Sequence, residues 1–162
     1  MEVWDVYDKN RNKTNKTHVR GSGTPLAVGD YHIVVHVWIR NKKGEILLTK
    51  RHPDKPHPNL WECPGGSILV GENSLVGAVR EVKEEIGINL SRSNGKLIKS
   101  ERRDVYNDFY DVWLFNQSFE ITETILQKDE VCDIKWVTKL ELESMYNSNC
   151  IVPTLSYFKL IF

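Results

Sequence analysis

The nine-residue run Tyr31-His32-Ile33-Val34-Val35-His36-Val37-Trp38-Ile39 carries no charged side chain and is dense in β-branched and aromatic residues. That composition suits a pleated, buried surface and predicts a central strand. The turn formers Asn41-Lys42-Lys43-Gly44 lead from it into Ile46-Leu47-Leu48, which predicts a hairpin closed on the central strand. Three prolines, Pro53, Pro56 and Pro58, then forbid regular structure between Arg51 and Leu60. From Asn73 to Ile86 the period becomes helical, with Leu75, Val79, Val82 and Ile86 on one face and Gly87 placed for a left-handed cap. Strand-like composition returns over residues 97–120, around a turn at Asn107-Asp108, and again from Val131 to Val137. Thr138–Tyr146 and Ile151–Phe162 read as one or two closing helices, with Pro153 near the start of the last. Residues 2–20 alternate around a polar turn, Asp8 to Lys13, and predict an accessory N-terminal hairpin. The sum is an α/β chain, a mixed β-sheet with helices on its faces.

At 162 residues, with no internal repeat, the chain is sized for one domain with a full core. Its 22 Lys and Arg are balanced by 22 Asp and Glu. A dedicated nucleic-acid binder needs a basic surplus to displace counterions, so nucleic acid is not the expected partner. No apolar stretch approaches the roughly 20 residues that span a bilayer, and the acids in Met1-Glu2-Val3-Trp4-Asp5 do not suit a secretory signal. A cytoplasmic protein without membrane contact is expected. Cys63, Cys132 and Cys150 are odd in number and widely spaced, which suits reduced thiols rather than a disulfide framework or a zinc site.

The candidate chemistry lies in the helix. Glu81, Glu84 and Glu85 are spaced i, i+3, i+4, so their carboxylates project from one side, roughly opposite the apolar stripe. Like charges this close repel, and a divalent cation reverses the sign; carboxylate oxygens completed by water and phosphate are what Mg²⁺ or Mn²⁺ requires. Taken alone, however, an acidic helix face is most often a solvated surface.

The wider pattern changes that reading. From Gly66 to Ile88 the chain fits Gly-x5-Glu-x7-Arg-Glu-U-x-Glu-Glu-x-Gly-U at every specified position, U being aliphatic. A chance match at these nine positions has a probability of about one in ten million. The stretch resembles the signature of the Nudix (MutT-like) hydrolases, and the likeness extends more weakly over residues 30–140, through Lys50-Arg51, Trp61, Pro64-Gly65-Gly66 and Glu130-Val131. The resemblance implies an α/β/α sandwich and a metal-dependent hydrolase of a nucleoside diphosphate linked to another moiety. It also implies roles: Glu81, Glu84, Glu85 and the carbonyl of Gly65 as Mg²⁺ (or Mn²⁺) ligands, Arg80 orienting the acids, and Glu72 bracing loop and helix. Gly66 and Gly87 are the structural glycines of the motif. The general base is left open, with Glu130 a later candidate.

Substrate contacts are less marked. Lys50, Arg51 and Lys55 are a basic group that could contact phosphate, although Arg51 could equally pair with a neighbouring acid. Tyr106, Phe109, Tyr110 and Trp113 could stack on a base, with core packing the better reading for most. Similar enzymes are often homodimers, a contact the extra hairpin could serve. Two alternatives stand beside hydrolysis. Gly29-Asp30-Tyr31-His32 and Asp129-Glu130-Val131 also look like isopentenyl-diphosphate isomerase. Its acid/base cysteine would precede Gly66, where Gly65 stands; Cys63 is displaced, and Pro25 falls where His32 would need a second histidine. A non-hydrolytic nucleotide-binding Nudix module would usually have a damaged acidic run, and this one is complete.

Overall fold

The computed structural model describes all residues from Met1 to Phe162. A two-stranded hairpin, β1 (Val3–Tyr7) and β2 (Lys13–Val19), precedes the main sheet. The sheet contains β3 (His32–Arg40), β4 (Ile46–Arg51), β5 (Trp61–Glu62), β6 (Gly65–Ser67), β7 (Gly95–Arg103), β8 (Asp108–Asn116) and β9 (Val131–Val137). Helix α1 (Ser74–Ile86) follows β6, and α2 (Lys139–Asn147) follows β9. Along the main path the strands run β5-β4-β3-β8-β7, with β6 also pairing β3 and β9 pairing β4.

The predicted central strand is central: β3 pairs with β8 in parallel from His32↔Asp108 to Arg40↔Asn116. Its period of two divides the core. Ile33, Val35, Val37 and Ile39 pack with Ala78, Val82 and Ile86 of α1. Trp38 joins Tyr110, Val112 and Leu114, against Leu142 of α2, on the other face. The result is a mixed sheet between two helical layers.

Two expectations, about the sheet and the C-terminus, need correction. The hairpin predicted between β3 and β4 closes only at its neck, Arg40↔Ile46. Beyond it the strands splay, β6 pairing with β3 at Val34↔Ser67, Val35↔Gly66 and His36↔Gly65. Gly65 permits this, because a Cβ there would collide with the Val35 carbonyl. The closing helix at 151–162 is instead two 3₁₀ turns, Pro153–Leu155 and Phe158–Ile161. Val152, Leu155, Phe158 and Ile161 are all buried at intervals of three, and a repeat of 3.0 residues keeps them on one face where an α-helix would rotate them away.

Helix α1 starts and stops where its signals lie. The Asn73 side chain accepts from the Val76 N–H at 2.9 Å, and Gly87, at φ 76°, donates back to Lys83. Its buried stripe is rotated from the one expected: Ala78, Val82, Ile86 and Glu85 are buried, whereas Leu75 and Val79 are only partly so. Glu85 therefore lies at the seam between α1 and the sheet, not on an open side.

Candidate active site

The splay between β3 and β4 leaves a cleft of about 390 Å³ walled by α1, β6, β5, the proline loop and the C-terminal turns. Arg80 is the hub of its acidic wall. Its guanidinium holds Glu72 through Nε at 2.8 Å and Nη2 at 3.0 Å, Glu81 at 3.0 Å and Glu84 at 2.9 Å. It also donates to the Ser67 carbonyl at 2.9 Å, and Glu72 in turn accepts from the Leu69 N–H at 3.0 Å. One guanidinium thus ties the loop before α1 to the acids of its middle turns.

The three glutamates differ in environment. The Glu84 side chain is 53% exposed and that of Glu81 only 14%, while Glu85 is 8% exposed as a residue. Burial raises the Glu81 pKa, opposed by Arg80 and reinforced by Glu84. Burial pushes Glu85 well above the ordinary carboxylate value, with the charges of Glu62 and Glu81 adding to it and Lys55 opposing. Glu81 packs on Gly66, where a Cβ would lie 2.5 Å from its carboxylate oxygen. Gly66→Ala is therefore expected to fold, because the end of a side chain can move aside, but to displace Glu81. Hydrolysis should fall at least tenfold with little change in thermal midpoint; full activity in a steady-state assay would contradict the packing argument.

Whether these residues suit a divalent cation is decided by their chemistry. No three His, Cys, Asp or Glu side chains converge closely enough to hold a metal ion by themselves. Glu81 and Glu85 are instead hard oxygen donors withdrawn from water, repelling one another, and open to the cleft beside Gly65. That suits an ion such as Mg²⁺, which keeps waters and phosphate oxygens in its shell and takes few carboxylates.

The basic group divides. Arg51 lines the cleft, but its Nη1 lies 2.7 and 2.8 Å from the Glu62 oxygens and its Nε donates to the Pro56 carbonyl at 2.6 Å. Lys55 also lines the cleft, paired with Glu130. Lys50 lies outside, its ammonium 5.9 Å from the centre of the Trp61 ring. Of the four aromatics considered, only Tyr106 reaches the cleft; it is 55% exposed and stacked on Arg103 at 4.7 Å, while Phe109 and Tyr110 are buried. Glu62 and Arg103 are cleft residues that sequence reasoning left without a role there, and His36 lines the cleft beside them. For Glu62 a signal existed, the acid between Trp61 and the Pro64-Gly65-Gly66 turn.

The NUDIX domain model matches residues 30–153. The chain belongs to the Nudix family. It is similar to an uncharacterized Nudix hydrolase of Listeria innocua, with 42% identity over 155 residues covering 94% of this chain and 89% of that one. Its fold is similar to a crystal structure from Deinococcus radiodurans, at 19% identity and TM-score 0.78, covering 97% and 96% of the two chains. The NUDIX domain of Shewanella oneidensis NrtR, solved in complex with ADP ribose, matches at 16% identity and TM-score 0.59, covering 78% of this chain and 82% of that one. This Nudix protein is thus a hydrolase of acid anhydrides. No helix in it is long and apolar enough to cross a membrane.

Proposed function

We propose that the chain, residues 1–162 as one Nudix unit, hydrolyses the diphosphate bond of a nucleoside diphosphate linked to another moiety. The observation that carries this is the enclosed Glu81–Glu85 pair at the Gly65-Gly66 edge of the cleft. Glu81, Glu84, Glu85 and the Gly65 carbonyl are the groups that would hold Mg²⁺ or Mn²⁺. When bound, such an ion neutralises phosphate charge and lowers the pKa of the attacking water. Arg80 orients the glutamates through its bonds to Glu81 and Glu84, and Glu72 fixes Arg80. Arg51 is held at the cleft wall by Glu62 and the Pro56 carbonyl, which leaves its Nη2 to meet a phosphate oxygen. The exposed Tyr106, which lines the cleft, offers a face to a base. Thiol-based isomerisation has less support: Cys63 is 5% exposed and burial pushes its pKa well above the ordinary value, so it resists forming the thiolate.

The test is product analysis of ADP ribose, nucleotide sugars, dinucleotides and isopentenyl diphosphate, each with Mg²⁺ and with chelator. Mg²⁺-dependent release of a nucleoside monophosphate, abolished by chelation, is expected. Isomer formation without cleavage, or binding without turnover, would overturn the proposal.

A further inference from the structure

The cleft extends past the acidic helix to the opposite face of the sheet, where His36 stands beside Gly65, its partner in the β3–β6 register. His36 Nδ1 is 2.6 Å from the Tyr157 hydroxyl, and the Trp38 indole N–H donates to the same hydroxyl at 3.2 Å. An indole N–H can only donate, so the Tyr157 oxygen accepts from Trp38. Its own hydrogen then has one partner, His36 Nδ1. Were Nδ1 protonated, that enclosed hydroxyl hydrogen would have no acceptor. The arrangement that pairs every hydrogen is Trp38 to Tyr157 to His36, which leaves His36 neutral with its hydrogen on Nε2. Nε2 makes no hydrogen bond within the protein, and His36 is half-buried and lines the cleft.

We infer that Trp38 and Tyr157 fix His36 as a hydrogen-bond donor that reads an acceptor on the group attached to the substrate's diphosphate. The site would thereby select a nucleoside-linked, acceptor-bearing substrate over a hydrocarbon such as a prenyl diphosphate. This deepens the proposed hydrolase function and rests on it. The discrimination is physical: a site built to donate to a substrate group rejects the analogue lacking that group, because its own donor is left unpaired. Tyr157 is a positioning residue acting through His36. It lies beyond residues 30–153, so the C-terminal 3₁₀ turns bring in a determinant from outside the part of the chain matched by the family model.

The test reads the histidine directly. In nitrogen-15 spectra of the substrate-free protein, His36 should show a bare Nδ1 and a protonated Nε2, and Tyr157→Phe should turn this into a mixture of tautomers. With chelator present to prevent turnover, ADP ribose should shift the Nε2–H resonance, whereas isopentenyl diphosphate, which shares only the diphosphate, should not. In turnover, Tyr157→Phe should raise the KM for the nucleotide substrate about tenfold with kcat little changed, about the loss of one hydrogen bond. A protonated Nδ1 in the unaltered protein, or equal shifts with both ligands, would overturn the inference. The spectra of the unaltered protein need neither turnover nor a variant, so absence of hydrolysis would count against the proposed function without touching the tautomer result.

Discussion

Glu85→Gln is expected to lower turnover by several orders of magnitude while leaving the fold intact and the metal-free protein more stable. The loss of activity follows from the proposed cation site: a neutral amide keeps the shape of the side chain but removes one of two enclosed hard anionic donors. The gain in stability follows from the geometry alone. Glu85 is 8% exposed, and burial together with Glu62 and Glu81 raises its pKa from the ordinary value of 4.5. A carboxyl with a raised folded-state pKa stabilises the protein fully only below its unfolded value, and that contribution is lost as pH rises through the folded one. Without metal, the unaltered protein should therefore lose stability relative to Glu85→Gln as pH climbs from about 4.5. Mg²⁺ should narrow the difference, since it binds the native site of the unaltered protein better than that of the variant. Thermal melts across pH, with Mg²⁺ and with chelator, and a steady-state assay check both halves. Near-normal turnover would remove Glu85 from the catalytic site; a variant less stable at neutral pH would show that its carboxylate is compensated by contacts other than those described.

This double effect also shows where sequence reasoning stopped. Helical spacing places Glu81, Glu84 and Glu85 on one side of α1, and the structure agrees that they share a wall of the cleft. Spacing does not say what covers that wall. Burial of Glu85 depends on β6 pairing with the middle of β3, which in turn depends on Gly65 permitting close approach to the Val35 carbonyl. That is a contact between segments thirty residues apart in sequence, invisible to any local period. The same holds for His36: even spacing with Trp38 puts both on the α2 face, but Tyr157 arrives 121 residues later. The long strands, α1 and its Gly87 cap were legible because their signals are local, whereas the short β5 and β6 were not, lying among the turn formers around Pro64. The C-terminal 3₁₀ turns were misread because any single i, i+3 apolar pair suits a 3.0 or a 3.6 repeat and only the whole run separates them, while Pro153 suits the first turn of either.

The N-terminal hairpin, read from sequence as accessory, is bound to the loop between β6 and α1, and Arg11→Ala should show how firmly. Arg11, at φ 66° in the β1–β2 turn, sends Nη1 and Nη2 to the two oxygens of Asp111 on β8, the first at 2.7 Å. The Asp111 side chain is 1% exposed and that of Arg11 32%. Burial alone would raise the Asp111 pKa, but Arg11 and the hydroxyls of Ser74 and Ser100 outweigh it and hold the group below its ordinary value. Truncating Arg11 leaves a buried carboxylate with hydroxyl partners only. Breaking a buried pair from one side typically costs about 3–5 kcal/mol, and the partial exposure of Arg11 argues for the lower end, about 3 kcal/mol. For a domain of this size that is a fall in thermal midpoint of roughly 10 °C. In the unaltered protein the depressed pKa means the contribution is present above the unfolded pKa and lost as pH falls through the folded one. The gap between the two proteins should therefore be widest near neutrality and narrow in acid. Asp111→Asn added to Arg11→Ala should recover part of the loss, since it removes the uncompensated charge. Equal midpoints for Arg11→Ala and the unaltered protein at neutral pH would refute the anchor. Its consequence reaches the cleft, because β1 holds the loop between β6 and α1. The Val3 carbonyl accepts from the Val70 N–H and the Asp5 carboxylate from the Gly71 N–H, both at 2.8 Å. That loop carries Glu72, which holds Arg80, while Glu2 and Arg20 at the hairpin's open end line the cleft. Loosening the hairpin at Arg11 should thus raise the KM of the hydrolase well below the melting temperature, a coupling that a purely peripheral hairpin would not transmit.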